Sequence, residues 1–180
     1  MRLLRIISRA AVMLLFGVLA FIAYDRHYTP KPTVPKLAPL TQQIDYILVE
    51  KAARKLTVFQ NDKPLRSYKI ALGFSPAGDK QVQGDGKTPE GIFTINRRNP
   101  SSSYHLSLGI DYPQAEDVAR AQSQGIDPGG DIFIHGQPNA TGKLATIGFD
   151  WTAGCIAVSD AEIEELWRVV QNGTVVEIKP

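Results

Sequence analysis

The chain has 180 residues and a small formal excess of positive charge, with 20 Lys and Arg against 18 Asp and Glu. Three of the basic residues and none of the acidic ones lie within positions 1–20, so the rest of the chain carries 17 basic and 18 acidic residues. A near-neutral domain lacks the basic excess that binding to a phosphate backbone needs, and we therefore expect no nucleic-acid partner.

The N-terminus combines three arginines with an apolar stretch over residues 10–24. This stretch is shorter than the roughly 20 residues of a membrane-spanning helix, and a basic start followed by a short apolar run is typical of an export signal. Small residues at Val18 and Ala20 suit cleavage by a signal peptidase. We predict that residues 1–24 form a signal peptide or, alternatively, an uncleaved anchor in the inner membrane, and that the protein is exported to the periplasm or cell envelope.

A proline-rich segment separates this signal from the rest of the chain, with Pro30, Pro32, Pro35 and Pro39 in close succession. Such a composition favours extended, semi-rigid chain, which predicts a linker over residues 25–41. Residues 42–180 are long enough to form one globular domain with its own core, and they show no internal repeat. We expect this domain to be monomeric.

The first part of the domain has the pattern of an antiparallel meander. Short apolar or alternating runs predict strands at 44–51, 55–60 and 65–72, with a turn at 61–64. A long loop over residues 73–91, rich in Gly, Pro and Asp, follows these strands, and loops of this length are often functional.

A phosphate-binding loop is one possible interpretation of the Gly86-Lys87-Thr88 sequence within that long loop. The phosphate-binding pattern needs a glycine where Gln81 stands, and a helix where Pro89 follows. The sequence therefore argues against a nucleotide site.

The remaining segments predict further short strands and at most two helices. We predict strands at 92–96, 104–110, 132–134 and 174–178, and helices at 115–124 and 160–170. Ser159 and Glu162 have the spacing of a capping box for the second helix, and Asn172-Gly173 is expected to stop it. The fold class is accordingly mostly β, a β-rich α+β domain with one or two short helices.

Cys155 is the only cysteine in the chain, so it cannot form an internal disulfide. A lone cysteine in an exported protein is either a buried apolar side chain or a thiol that is reactive or pairs with another molecule. The thiolate is the reactive form and is scarce near neutral pH, so a nucleophilic cysteine needs a base. Reactivity separates the two interpretations, since a catalytic thiolate is expected to alkylate below its ordinary pKa, whereas a packed thiol is inert.

His135 is the best-placed base of the three histidines, because it ends the apolar run 132–134 and precedes Gly136. Cysteine nucleophiles and their histidines are typically far apart in sequence and close in space. A structural histidine remains the alternative interpretation.

Three motifs in order resemble the YkuD-type L,D-transpeptidases. They are "GDGKTPEGIF" at 84–93, "IHG" at 134–136 and "TAGCIAV" at 152–158. The resemblance spans most of residues 44–180 and implies the mixed β-sandwich of that family. It also implies an enzyme that attacks the bond between a diamino acid and a terminal D-alanine in a peptidoglycan stem peptide, and passes the acyl group to an amine.

Carried over, the resemblance makes Cys155 the nucleophile and His135 the base, with the Gly136 carbonyl holding the imidazole in the required tautomer. Backbone N–H groups at Gly154 and Cys155 would stabilise the oxyanion. Thr152, Trp151 and Tyr104 are candidates for the substrate-binding groove, with core packing as the alternative for Trp151 and Tyr104. The resemblance implies no metal and no organic cofactor.

The sequence departs from the family pattern at two positions, where Ala153 replaces a histidine and Ala157 an arginine. Alanine neither donates hydrogen bonds nor pairs with a carboxylate, so any such role falls to other residues. Arg97, Arg98 and Lys143 are candidate cations for substrate binding, although each could equally be a solvated surface charge.

Two classes of function follow. The first is an envelope enzyme that forms an acyl-thioester at Cys155 and transfers the acyl group to an amine, with transfer to water, a peptidoglycan hydrolase, as its variant. The second is a non-catalytic wall-binding module that keeps the fold, a possibility that the two alanines support.

Overall fold

The computed structural model describes residues 12–21, 38–140 and 145–180. The chain divides into two units, Met1–Ala38 and Pro39–Pro180, and residues 12–21 in the first are helical (α1). No helix within the described residues is long and apolar enough to cross a membrane. The predicted signal or anchor and the predicted linker fall mostly outside the described residues and stay predictions.

The second unit is built mainly from β-strands. Its elements, within the described residues, are β1 (Ile44–Glu50), β2 (Lys55–Gln60), β3 (Lys63–Lys69), β4 (Gly91–Ser102), β5 (His105–Ile110), α2 (Ala115–Ser123), β6 (Phe133–His135), β7 (Ile156–Ala157), α3 (Asp160–Val169) and β8 (Val170–Lys179). The prediction of a mostly β fold with two short helices is confirmed.

All these strands belong to one curled, mixed sheet with the order β3-β2-β1-β8-β4-β5-β6-β7. The predicted meander β1-β2-β3 is present, and β8 lies between β1, which it pairs in parallel, and β4, which it pairs antiparallel. The long strand β4 pairs with β8 through its first residues and with β5 through the rest, so it connects the two halves of the sheet. The sheet therefore brings β5, β6 and β7 together at one end.

The turn between β2 and β3 is shorter than predicted, because β3 already begins at Lys63. Asn61 and Asp62 both have positive φ, 49° and 59°, the backbone of a two-residue type I′ hairpin turn. Pro64 fits within β3 because this strand is the edge of the sheet, where one missing N–H donor is tolerated.

Strand β4 is longer than predicted, and it includes the polar segment 97–102 that the sequence analysis left as a connection. These residues pair with β5 across two register irregularities. Helix α3 has the predicted capping box, in which Ser159 Oγ accepts from Glu162 N and Glu162 Oε2 accepts from Ser159 N at 2.8 Å. It ends at Val169 rather than at Asn172-Gly173, which lie within β8.

One apolar core is shared by both halves of the sheet and by α3. Representative members that are fully or almost fully buried are Ile47, Leu56, Ile95, Leu108, Ile134, Ile156, Leu166 and Val176. Burying such side chains contributes about 1.5–3 kcal/mol each before the entropy cost of folding. Ile134, which precedes His135 on β6, and Ile156, which follows Cys155 and begins β7, belong to this core and anchor the two residues.

Candidate active site

The parallel pair β6–β7 brings His135 and Cys155 together. His135 is opposite Ala157 in the register, and Cys155 lies two residues before Ala157, so both side chains project to the same face of the sheet. Both residues line one cavity of about 400 Å³, whose other walls include Asn99, Ser107 and Asp131. This volume is in the range of about 300–1,000 Å³ that small-molecule sites in proteins occupy.

The imidazole of His135 is buried, with 3% of the residue exposed, and its Nδ1 lies 2.7 Å from the carbonyl oxygen of Gly136. A carbonyl only accepts hydrogen bonds, so Nδ1 carries the proton and Nε2 is left with a lone pair. Burial lowers the pKa of His135, and the bond to Gly136 opposes this effect. The ring is therefore neutral near pH 7 and able to accept a proton at Nε2.

The thiol of Cys155 is also neutral in this structure, and its Sγ donates to the carbonyl oxygen of Asp131 at 3.4 Å. Burial raises the pKa of the thiol, and the backbone N–H of Phe133 lowers it. Among the nearby charges, the Asp131 carboxylate raises this pKa, whereas Lys80 and Arg97 lower it. Burial thus outweighs the stabilising groups, which argues against a thiol that ionises below its ordinary pKa in the resting protein.

Two aromatic side chains enclose the imidazole of His135. The ring of Tyr104 lies 4.7 Å from that of His135, and the indole of Trp151 lies 5.7 Å from it in an edge-on arrangement. Tyr104 and Trp151 also contact each other at 5.6 Å. Trp151 thus contacts the imidazole rather than the apolar core, and its buried Nε1 has no hydrogen-bond partner in the described chain.

The segment before Cys155 is held by a hydroxyl. Thr152 Oγ1 donates to the carbonyl of Cys155 at 2.7 Å and accepts from the N–H of Gly154 at 3.1 Å. Because its N–H is occupied, Gly154 does not offer the oxyanion donor that the sequence analysis expected from it. The N–H of Cys155 has no hydrogen-bond partner among the described residues and is the donor that remains free.

A glycine is required at position 154 for a conformational reason. Its φ is +135°, and a Cβ at this position would come within 2.7 Å of the carbonyl oxygen of Lys87. The long loop 73–91 thus packs directly behind the cysteine. This loop is itself fixed by the buried ion pair of Lys80 with Asp85, at 2.8 Å. Burial raises the pKa of Asp85, but hydrogen bonds from Lys80 and from backbone N–H groups of the loop outweigh this effect and lower the pKa to about 2.

The structure places the two candidate arginines on opposite sides of β4. The guanidinium of Arg97 lies 4.5 Å from the ring of Phe133 and pairs with Asp131 at 3.0 Å, beside Cys155. Gly109 makes this possible, because a Cβ there would come within 2.5 Å of Arg97 Cγ. The guanidinium of Arg98 lies 4.1 Å from the ring of Trp167 and donates to the carbonyl of that residue at the end of α3, away from the cavity.

The two alanines at which the sequence departs from the family pattern differ in their exposure. Ala153 is exposed, whereas Ala157 is buried and exchanges backbone hydrogen bonds with Ala71 at 2.8 and 2.9 Å. Lys143 lies outside the described residues. Within the described parts of the chain, no three His, Cys, Asp or Glu side chains come together as a metal site would require.

Three further cavity residues, Asn99, Ser107 and Asp131, could not be singled out from the sequence. Each is an ordinary polar residue of a strand or turn, and only the pairing of β4, β5 and β6 brings it to the cavity. The alternation within residues 104–110 was the one available signal, because it places the hydroxyl of Ser107 on the opposite face from Leu106 and Leu108.

Comparison with known proteins agrees with this geometry. A family model described as the L,D-transpeptidase catalytic domain, YkuD, matches residues 44–178. YafK of Escherichia coli K12 is 30% identical over 136 residues, which cover 72% of this chain and 48% of YafK. YkuD of Bacillus licheniformis is 28% identical over 139 residues, which cover 74% of this chain and 65% of that protein.

Among solved structures, the helical cell shape determining protein Pgp2 from Campylobacter jejuni matches with a TM-score of 0.60 and 29% identity, over 77% of this chain and 48% of Pgp2. The chain thus spans about half the length of YafK and of Pgp2. The match of the family model over most of the second unit, together with the 30% identity to YafK, shows that the chain belongs to the YkuD family of L,D-transpeptidase catalytic domains.

Proposed function

We propose that this protein is a cysteine-dependent L,D-transpeptidase that remodels peptidoglycan through an acyl-thioester at Cys155. The observation that carries the proposal is that His135 at the end of β6 and Cys155 just before β7 share one cavity. Nε2 of the imidazole has no hydrogen-bond partner among the described residues and can accept a proton. Membership of the family supports the substrate class, a stem peptide with a diamino acid followed by D-alanine.

The neutral state of both groups defines the first step. The thiol turns from the Asp131 carbonyl towards His135, and Nε2 takes its proton as the sulfur attacks the carbonyl carbon of the diamino acid. The S–C bond forms, and the developing oxyanion accepts a hydrogen bond from the N–H of Cys155. His135 then gives the proton to the departing nitrogen as the C–N bond breaks, which releases D-alanine and leaves the thioester.

The second step reverses this path with a new amine. The amine of another stem peptide loses its proton to His135 as it attacks the thioester, and the sulfur leaves as a thiol after it takes that proton. Attack by water in place of the amine would make the same protein a peptidoglycan hydrolase.

The cellular setting of this activity follows from its substrate. Peptidoglycan lies outside the cytoplasmic membrane, so we propose export to the envelope through the signal or anchor predicted at residues 1–24. Pgp2 is a cell shape determining protein, and similarity to it supports a role for this protein in shaping the wall.

The test is intact-protein mass spectrometry of the full chain after incubation with a carbapenem and, separately, with tetrapeptide muropeptides. We expect an adduct on the wild type that is absent from Cys155→Ala, and slow or no adduct formation with His135→Ala. Cross-linked muropeptides would support transpeptidation, and tripeptide products alone would indicate hydrolysis. A folded wild-type protein with no adduct and no turnover would favour the non-catalytic wall-binding module.

A further inference from the structure

The hydroxyl of Ser107 has no role in the mechanism above, yet it is a prominent polar group of the same cavity. Ser107 is 2% exposed, lines the cavity with His135 and Cys155, and its Oγ has no hydrogen-bond partner among the described residues. A buried hydroxyl without a hydrogen-bond partner is unfavourable, and nearly all buried polar groups in native proteins have such a partner. An unpaired hydroxyl at the wall of a cavity therefore indicates a ligand group that supplies the missing partner.

The sheet fixes where that ligand group would lie. Ser107 on β5 is directly opposite His135 on β6, whereas Cys155 is on the other side of β6, next to β7. Asn99 on β4 is in turn opposite Ser107 and lines the same cavity. The imidazole thus lies between the nucleophile and a polar pair formed by Ser107 and Asn99.

Both members of this polar pair can donate a hydrogen bond. Asn99 Oδ1 accepts from the N–H of Ser101 at 2.9 Å, which leaves the amide NH₂ of Asn99 available. The hydroxyl of Ser107 turns with its χ1 rotamer and donates or accepts as a ligand requires. Two neutral donors side by side suit a carboxylate or a carbonyl oxygen.

The position of the general acid links this pair to one part of the substrate. If the proposed function holds, the departing nitrogen receives its proton from His135 and so lies over the imidazole while the acyl carbon is at Cys155. The amino acid attached to that nitrogen then extends away from Cys155, towards Ser107 and Asn99. We propose that Ser107, with Asn99, binds the carboxylate of the terminal amino acid that leaves during acylation.

Ser107 and Asn99 also affect which acceptor amines the enzyme binds. The amine that attacks the thioester approaches along the path by which the first amine departed, because His135 must accept its proton at the same nitrogen. An acceptor whose amine is adjacent to a carboxylate would therefore use Ser107 and Asn99 as well. This makes the pair a determinant of which amines and which donors the enzyme accepts.

The test compares two donors that differ only at the proposed contact, a tetrapeptide stem ending in D-alanine and the same peptide ending in D-alaninamide. For the wild-type full chain we expect kcat/KM to favour the free carboxylate by about tenfold or more, which corresponds to about 1.4 kcal/mol. In Ser107→Ala we expect this preference to fall towards one, mainly through a higher KM for the acid. Asn99→Ala should also reduce the preference for the acid over the amide.

A matched control distinguishes a role of the Ser107 hydroxyl in substrate binding from a role in the stability of the fold. Thr174 is also buried, but its hydroxyl donates to the carbonyl of Ile44 at 3.2 Å. Thr174→Val should lower Tm and keep the donor preference. Ser107→Ala should keep or raise Tm, because it removes a hydroxyl that has no partner among the described residues. Alkylation of Cys155 by iodoacetamide should proceed at the same rate in Ser107→Ala and in the wild type.

Two results would overturn the inference. One is a wild type that turns over both donors without preference, and the other is a Ser107→Ala variant that loses Tm and keeps the wild-type preference. Failure of the proposed function would look different, since the wild type would then form no carbapenem adduct and cleave neither donor.

Discussion

At the scale of single residues, burial acts in opposite directions on the two reacting groups. It lowers the pKa of His135 and raises that of Cys155, so both are neutral when the cavity holds no substrate. A neutral thiol is a poor nucleophile and is oxidised more slowly than a thiolate. The arrangement therefore protects the only thiol of the chain and makes its reaction depend on proton transfer to Nε2 at the moment of attack.

The first prediction concerns the pH dependence of thiol alkylation in the folded protein. Because the pKa of Cys155 is raised, a smaller fraction is thiolate at any given pH, and we expect the midpoint of iodoacetamide alkylation at a higher pH in the native chain than in the urea-unfolded chain. The measurement is the alkylation rate as a function of pH, followed by mass spectrometry. A native midpoint below the unfolded one would show that an ion pair with His135 already exists.

Two variants at the mouth of the cavity should shift this midpoint in opposite directions. Asp131→Asn removes the negative charge that raises the thiol pKa, so the midpoint should fall, and Asn tolerates the positive φ of 56° at this position. Arg97→Gln removes a positive charge that lowers the thiol pKa, so the midpoint should rise. Equal shifts of the same sign would contradict the assignment of these charges.

At the scale of elements, the turn between β4 and β5 positions Tyr104 over the imidazole. Asn139 fastens this turn, since its Oδ1 accepts from His105 N at 2.8 Å and its Nδ2 donates to the carbonyl of Ser102 at 3.0 Å. The carbonyl of Tyr104 accepts from Gly136 N at 3.1 Å, which ties the turn to the strand end that carries His135. The turn and the imidazole are thus fixed to each other through side chain and backbone.

The second prediction is that Asn139→Ala loosens this turn. The variant loses two hydrogen bonds of about 0.5–1.5 kcal/mol each, so we expect faster hydrogen exchange over residues 102–106 and a lower kcat. Asn139→Asp keeps the acceptor for His105 N and loses the donor to Ser102, so its effect should be intermediate. Unchanged exchange over 102–106 in Asn139→Ala would show that the turn is held by the backbone alone.

Most elements could be predicted from the sequence because their signals are local. Alternation identified the strands of the meander, and the capping box at Ser159 located the start of α3. The polar end of β4 could not be found in this way, since residues 97–102 are a strand only through their pairing with β5. Likewise Asn172-Gly173 has the pattern of a helix stop, yet both residues lie within β8, at the irregularity between the pairs that Val170 and Val175 make with β1.

The residues of the candidate site also differ in whether a local sequence signal identifies them. Cys155 and His135 could be singled out from residue chemistry and motif, and the structure brings them to one cavity. Ser107, Asn99 and Asp131 could not, because each enters the cavity through strand register or a turn that involves distant residues. The Gly154 N–H was expected to stabilise the oxyanion for a similar reason: the sequence does not reveal that it donates to the Thr152 hydroxyl.

At the scale of the whole molecule, the last strand, β8, joins the meander to β4. Val176 on β8 is fully buried and is paired with Ile47 on β1 and with Phe93 on β4. The first and last strands of the unit are therefore neighbours, and the cavity that contains Cys155 rests on the same core as the meander. Because one core supports both halves, we expect the unit to unfold in a single cooperative transition.

The third prediction tests this with Val176→Ala. Losing two buried methyl groups should lower the free energy of unfolding by about 2 kcal/mol, without a change at the cavity. Val175→Ala is the matched control, since Val175 is only half-buried on the other face of β8, and it should cost less. Urea unfolding of both variants, followed in parallel by far-UV circular dichroism and by alkylation of Cys155, should give one midpoint per variant. Exposure of Cys155 at a lower urea concentration than the loss of circular dichroism would mean that β5, β6 and β7 unfold before the meander, and that the shared core does not couple the site to β8.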